Sequence, residues 1–199
     1  MNRLIGILLI SLAIAYNKSA FSQEQIILNP SKKLSQYPIK TWDMDKGMPS
    51  DMVIQILEDT TGYIWLATYK GIARFDGVNF TNFNHSSSSA IESVTIQAAT
   101  IDSDKNLWFG SQKGLVKYVN YQFVRDPRLS SLNNTSIEAL YYDSRSSTLW
   151  IGTTSNGVYR YRNRILEHLP QFLKIAKGIV KAIGCDLDGN IWIGTEGGK

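Results

Sequence analysis

Four tryptophans, Trp65, Trp108, Trp150 and Trp192, recur along this 199-residue chain at intervals of 43, 42 and 42 residues. Each follows an aspartate-led turn and an aliphatic neighbour. Each is followed by an apolar residue, a small residue and a hydroxyl. A fixed period of this length means that one supersecondary unit is stacked on copies of itself, because a single unit cannot bury its apolar face alone.

The copies align residue by residue. The first runs from Asp59-Thr60-Thr61-Gly62 through Trp65 to Gly71-Ile72-Ala73-Arg74-Phe75. The second runs from Asp102 through Trp108 to Gly114-Leu115-Val116-Lys117-Tyr118. The third runs from Asp143 through Trp150 to Gly157-Val158-Tyr159-Arg160-Tyr161, with one extra residue before Trp150 and one before Gly157. The fourth runs from Asp186-Leu187-Asp188-Gly189-Asn190 through Trp192 to Gly198. A run rich in branched residues precedes each aspartate, as a β-strand requires. The aspartate stretch reads as a hairpin turn, since its carboxylate can bond backbone N–H groups two residues on. The tryptophan stretch is then a second strand and the stretch opened by Gly71, Gly114, Gly157 or Gly198 a third. In the first copy, Asp76-Gly77 and Phe80 to Phe83 supply a turn and a fourth strand.

Four antiparallel strands in about 42 residues is the size of one propeller blade. The expected fold is all-β: a β-propeller with four-stranded antiparallel blades, partial, with about four blades over residues 49–83, 91–125, 134–168 and an incomplete 177–199. The tryptophans are read as wedges between adjacent sheets. Trp42 lies outside their register, and residues 37–43 are read as a closing strand for a blade elsewhere in the ring or as a cap on the first blade. A full ring needs roughly 250–340 residues, so residues 23–199 read as the N-terminal part of a longer propeller.

Residues 1–22 read as a secretory signal: Asn2-Arg3 is a short basic region, Leu4 to Ala15 a largely apolar run, and Ala20-Phe21-Ser22 a cleavage site. The run is too short to span a bilayer comfortably. The formal charge is +4, of which the leader carries Arg3 and Lys18, and a balance this small argues against nucleic acid. Arg74, Lys117 and Arg160 are expected on solvated faces.

Gly47-Met48-Pro49-Ser50-Asp51-Met52-Val53, then Gly62-Tyr63-Ile64-Trp65-Leu66-Ala67-Thr68 and Gly71-Ile72-Ala73-Arg74-Phe75-Asp76-Gly77, resemble the two-component regulator propeller repeat. Asp186 to Thr195 matches that pattern more closely still. The resemblance covers about residues 37–199. Met48 and Ala67 depart from the usual leucine and glycine, and the third turn carries Ser144-Arg145-Ser146-Ser147. In proteins of this family the propellers form the extracytoplasmic sensor of a membrane-spanning regulator, often a histidine kinase, and many detect breakdown products of complex carbohydrates. The resemblance therefore implies a periplasmic, exported, ligand-sensing propeller whose parent is anchored in the inner membrane. Its expected partners are an oligosaccharide, the remaining blades and downstream domains, and a second copy of the full-length protein.

Chemistry is sparse. The two histidines, His85 and His168, form no short-range metal-ligand pair, and both read as inter-blade loop residues. Asp186-Leu187-Asp188-Gly189-Asn190 offers oxygens for Ca²⁺ but lacks the rest of a calcium loop, so a turn explains it better than a metal. No cofactor motif and no catalytic constellation is found. A propeller lyase, a glycan-active enzyme using paired carboxylates, and a structural or protein-interaction propeller are the alternatives to a sensor. For ligand contact the candidates are Tyr63 and Tyr69, whose rings can stack on a sugar at a channel mouth, and His85 in a polar loop. Framework packing is the competing reading of both tyrosines.

Overall fold

The computed structural model describes residues 31–37, 39–171 and 178–197. The signal segment and Gly198 lie outside the described residues. The chain divides into units 1–40 and 41–199. In the first, a short 3-10 turn covers Leu34–Gln36. Among the described residues no helix is long and apolar enough to cross a membrane.

The second unit is a succession of antiparallel sheets. Strands β1 (Val53–Glu58), β2 (Ile64–Thr68), β3 (Gly71–Phe75) and β4 (Phe80–Phe83) form the first. Strands β5 (Ile96–Ile101), β6 (Leu107–Ser111), β7 (Gly114–Val119) and β8 (Gln122–Val124) form the second. Strands β9 (Ile137–Asp143), β10 (Thr148–Thr153), β11 (Val158–Arg162) and β12 (Ile165–Leu169) form the third, and β13 (Val180–Cys185) pairs with β14 (Ile191–Thr195) in the fourth. Every sheet is a simple meander. Successive sheets meet chiefly through their first strands, β1 to β5, β5 to β9 and β9 to β13, which places those strands innermost. This is a partial propeller with no sheet closed into a ring.

The core lies between sheets. Trp65, Ala67 and Ile72 of the first meet Ile96, Leu107, Phe109 and Val116 of the second. Trp108 and Leu115 meet Ile137, Leu149 and Ile151 of the third, sealed by Leu129 and Leu132 from a 3-10 turn at Pro127–Leu132. Trp65 is a wedge: it stacks on Phe83 of its own sheet at 5.6 Å and meets Tyr118 of the next at 4.5 Å. Trp65 and Trp108 are buried, whereas Trp192 is 67% exposed. Glycine at the small-residue position is a matter of room. A Cβ on Gly152 would stand 2.5 Å from Cγ1 of Val180, so a side chain there would push β13 away.

Residues 39–43 join none of these sheets. Trp42 stands edge-on to Phe75 at 5.0 Å. Arg74 and Lys117 correct the solvated-face expectation, whereas the Arg160 side chain is 43% exposed and pairs with Glu167 at 2.7 Å. All three sit across the strand pair from their tryptophans, but only Arg74 and Lys117 lie over an aromatic ring. The Arg74 guanidinium lies 4.4 Å from the Tyr63 ring, and Lys117 lies 4.8 Å from that of Trp108. An aromatic face attracts a cation, so the strand pairing draws these charges inward. His168 likewise differs from expectation: it is in β12, stacked on Tyr159 at 4.5 Å, with Nε2 2.8 Å from the carbonyl of Asn156.

Candidate functional site

The recurring residues are absorbed by the framework. In the first turn the Asp59 carboxylate accepts from Thr61 N at 2.8 Å, from Tyr63 N at 3.2 Å and from the Trp65 indole at 2.7 Å. Asp102 accepts from Asn106 N at 2.9 Å and from the Trp108 indole at 2.8 Å. Asp186 accepts from Asn190 N at 2.8 Å and from the Trp192 indole at 2.9 Å. Hydrogen bonds from Trp192 and Asn190 hold the Asp186 carboxyl down at about 2. Burial raises that of Asp59, but bonds from Thr61, Trp65 and Tyr63 outweigh it and leave the carboxyl low. These carboxylates are occupied by their own hairpins. Among the described residues no group of three or more His, Cys, Asp or Glu could hold a metal ion. The constant six-residue spacing from aspartate to tryptophan is the sequence signal for this latch.

The third repeat breaks it. Asp143 pairs with Thr148 as part of the β9–β10 ladder, and its carboxylate takes Arg145 N at 3.1 Å and the Ser146 hydroxyl. The indole N–H of Trp150 is buried without a partner. Arg145 reaches into the fourth repeat instead, donating to the carbonyls of Asp186 at 3.0 Å and Leu187 at 3.1 Å.

The hydroxyl that ends each second strand also has a fixed task. Thr68, Ser111 and Thr153 donate to the carbonyls of Gly71, Gly114 and Gly157 at 2.9, 3.0 and 2.9 Å. Gly114 shows why glycine recurs there. Its φ is +100° and a Cβ would meet the carbonyl oxygen of Leu132 at 2.8 Å.

The innermost strands line a groove of about 430 Å³. Near its start each of them slips register by one residue, between Val53 and Gln55, Ile96 and Ala98, Ile137 and Ala139, and Val180 and Ala182. A bulge of this kind re-aims the side chain of the extra residue. Those residues are Ile54, Gln97, Glu138 and Lys181, and all four line the groove. Three of them are joined. The Glu138 carboxylate accepts from Gln97 Nε2, from Ser136 Oγ at 3.1 Å and from Thr154 Oγ1 at 2.9 Å. Its other oxygen accepts from Lys181 Nζ at 3.1 Å, and Glu196 stands 3.7 Å from the same nitrogen. Burial raises the Glu138 carboxyl, but the bonds from Lys181 and Thr154, the charge of Lys181 and the bond from Ser136 prevail and keep it below the ordinary range. The bond to Glu138 raises the Lys181 ammonium in turn.

The ligand candidates fall in different places. Tyr63 closes the turn before β2, and Tyr69 lies in the hairpin after it, so they stand at opposite ends of one strand. Tyr63 is covered by Arg74. Tyr69 is 43% exposed and holds the hairpin position that Gln112, Thr154 and Glu196 hold in the later repeats. That places it in the hairpin row beside the bulges. His85 is in the loop 84–91, its Nδ1 3.1 Å from the carbonyl of Ile91. The structure does not gather the three into one site. The polar bulge residues have no signature in the sequence, where Ile-Gln-Ala and Ile-Glu-Ala read as ordinary strand.

The family model of the two component regulator propeller matches residues 47–70. Comparison with curated proteins gives no match. Among solved structures, the extracellular domain of BT3049 of B. thetaiotaomicron, described as a hybrid two component system, is similar at 22% identity with a TM-score of 0.68, over 79% of this chain and 22% of that one. The extracellular domain of BT4673 from the same organism, also described as a hybrid two component system, is similar at 24% identity with a TM-score of 0.63, over 77% of this chain and 22% of that one. A streptogramin B lyase shares the fold at 13% identity with a TM-score of 0.51, over 75% of this chain and 50% of the lyase. The chain thus spans about a fifth of the length of these two extracellular domains.

Proposed function

We propose that this chain, whose residues 47–70 match the two component regulator propeller, is part of the extracytoplasmic, ligand-sensing propeller of a two component regulator. The observation that carries this reading is the fold likeness to an extracellular domain described as a hybrid two component system, over 79% of the chain. The leader read at residues 1–22 supports export. The chain acts by binding: its recurring aspartates are committed to hairpins, as at Asp59 and Asp102, and the groove carboxylate of Glu138 is held by donors from Gln97, Ser136, Thr154 and Lys181.

The ligand is an oligosaccharide, taken up where the innermost strands and the hairpins beside them converge. Propellers suit this because loops from several blades meet there on a rigid scaffold. Calorimetry of the full-length protein against a panel of saccharides is the test. At least one member should bind, and deletion of the gene should abolish a transcriptional response to that sugar. A panel without binding, together with an unchanged response, would end the proposal. Measurable release of product from any polysaccharide would overturn the non-catalytic reading.

A further inference from the structure

The repeat contains its own control. Positions with a shared framework task carry the same kind of residue, as Trp65 and Trp108 do between sheets and Thr68, Ser111 and Thr153 do in the hairpins. Two rows that lie together do not. The bulge row reads Ile54, Gln97, Glu138, Lys181, and the hairpin row beside it reads Tyr69, Gln112, Thr154, Glu196. Backbone geometry repeats there while side-chain chemistry changes, so packing does not dictate the residue. A ligand touching several blades from one side makes a different demand on each.

The polar part of these rows has a direction. The Glu138 side chain is only 10% exposed, and its oxygens are taken by Gln97, Ser136, Thr154 and Lys181. It is a buried anchor that aims donors. The Lys181 side chain is 49% exposed and carries three N–H groups. Glu138 takes one at 3.1 Å. Glu196, 62% exposed and 3.7 Å away, is beyond good hydrogen-bond distance and serves as a loose counter-ion. An ammonium so placed is open to a better anion.

We propose that Lys181, with Gln97 beside Glu138, forms a subsite for a carboxylate on the sensed molecule, so that the ligand is an acidic saccharide of the uronate type and Glu196 is the group it displaces. This rests on the sensing reading above and adds the class of ligand and the residues that select it. Lys181 here is a specificity residue and Glu138 a positioning residue.

Calorimetry on the full-length protein tests this with a uronate disaccharide and the neutral disaccharide in which each carboxyl is replaced by hydroxymethyl. The acidic probe should bind at least roughly tenfold tighter, the value of one charge-assisted hydrogen bond. Lys181→Met should erase the preference, Lys181→Arg should keep most of it, and Glu196→Gln should tighten binding of the acidic probe alone. The preference should shrink as salt is raised. The mutated side chains are about half exposed or more, and the thermal midpoint checks that the variants stay folded. Equal binding of the two probes, or a preference that survives Lys181→Met, overturns the subsite and leaves the sensor reading standing. Binding of neither probe overturns the subsite, and the sensor reading falls only if the wider panel is also silent.

Discussion

The turn after Asp102 and the turn after Asp143 perform the same task with different lengths. In the second repeat six positions separate aspartate from tryptophan, and the carboxylate fastens both the turn backbone and the indole. In the third they are seven apart. The aspartate is drawn into the strand ladder and the indole N–H is left buried and unpartnered. Yet the third sheet keeps the four-stranded meander of the second. The wedge therefore rests on burial of the ring between sheets, and the latch adds to it. Burial of a large ring outweighs one hydrogen bond in magnitude, which is why the repeat tolerates the loss.

Removing the ring itself should have the largest effect. Trp65→Ala empties a site between two sheets and should cost about 3–5 kcal/mol in chemical denaturation. Trp192→Ala, at a ring that is 67% exposed here, should cost well under half as much in the same chain. Equal losses would mean that the tryptophans do not act as inter-sheet wedges. The next effect is that of the latch. Asp102→Ala strands the Trp108 indole and the Asn106 amide and should cost about 1–3 kcal/mol. Asp143→Ala strands no indole and should cost less; a larger loss at Asp143 would reverse the comparison.

A smaller effect, of opposite sign, should follow deletion of Ser147. This residue has φ +51°, and removing it restores the six-residue spacing. A gain of about 0.5–1.5 kcal/mol is expected from the recovered indole bond. Destabilisation would show that turn length is not what orphans Trp150. The smallest effect concerns pH. The Glu138 carboxyl lies below its ordinary 4.5 in the folded chain. A lowered folded value contributes stability that is complete above the unfolded value and is lost as pH falls through the folded one. The thermal midpoint of Glu138→Gln should therefore fall less than that of the parent below pH 4.5; parallel curves would show that Glu138 gains nothing from its donors.

The blade was legible because its cause is local and recurs. Asp59 and Trp65 return six residues apart as Asp102 and Trp108 and as Asp186 and Trp192, and the extra residue before Trp150 is visible by counting. What that residue does to the indole was not, since it depends on whether Asp143 enters the ladder. Tyr63 and Tyr69 look like neighbours in the chain, but β2 lies between them and carries them to opposite ends of the sheet. Gln97, Glu138 and Lys181 are about 42 residues apart and acquire a common place only through three bulges and the stacking of sheets.

By itself, then, the sequence determined the unit: four strands, an aspartate turn, an indole and a hairpin hydroxyl, all set by contacts within one repeat. The tertiary structure decided what the units make together. Which rings are covered, which cations turn inward and which polar side chains share the axial groove all depend on pairings between separate strands and sheets, and no local pattern encodes those distances.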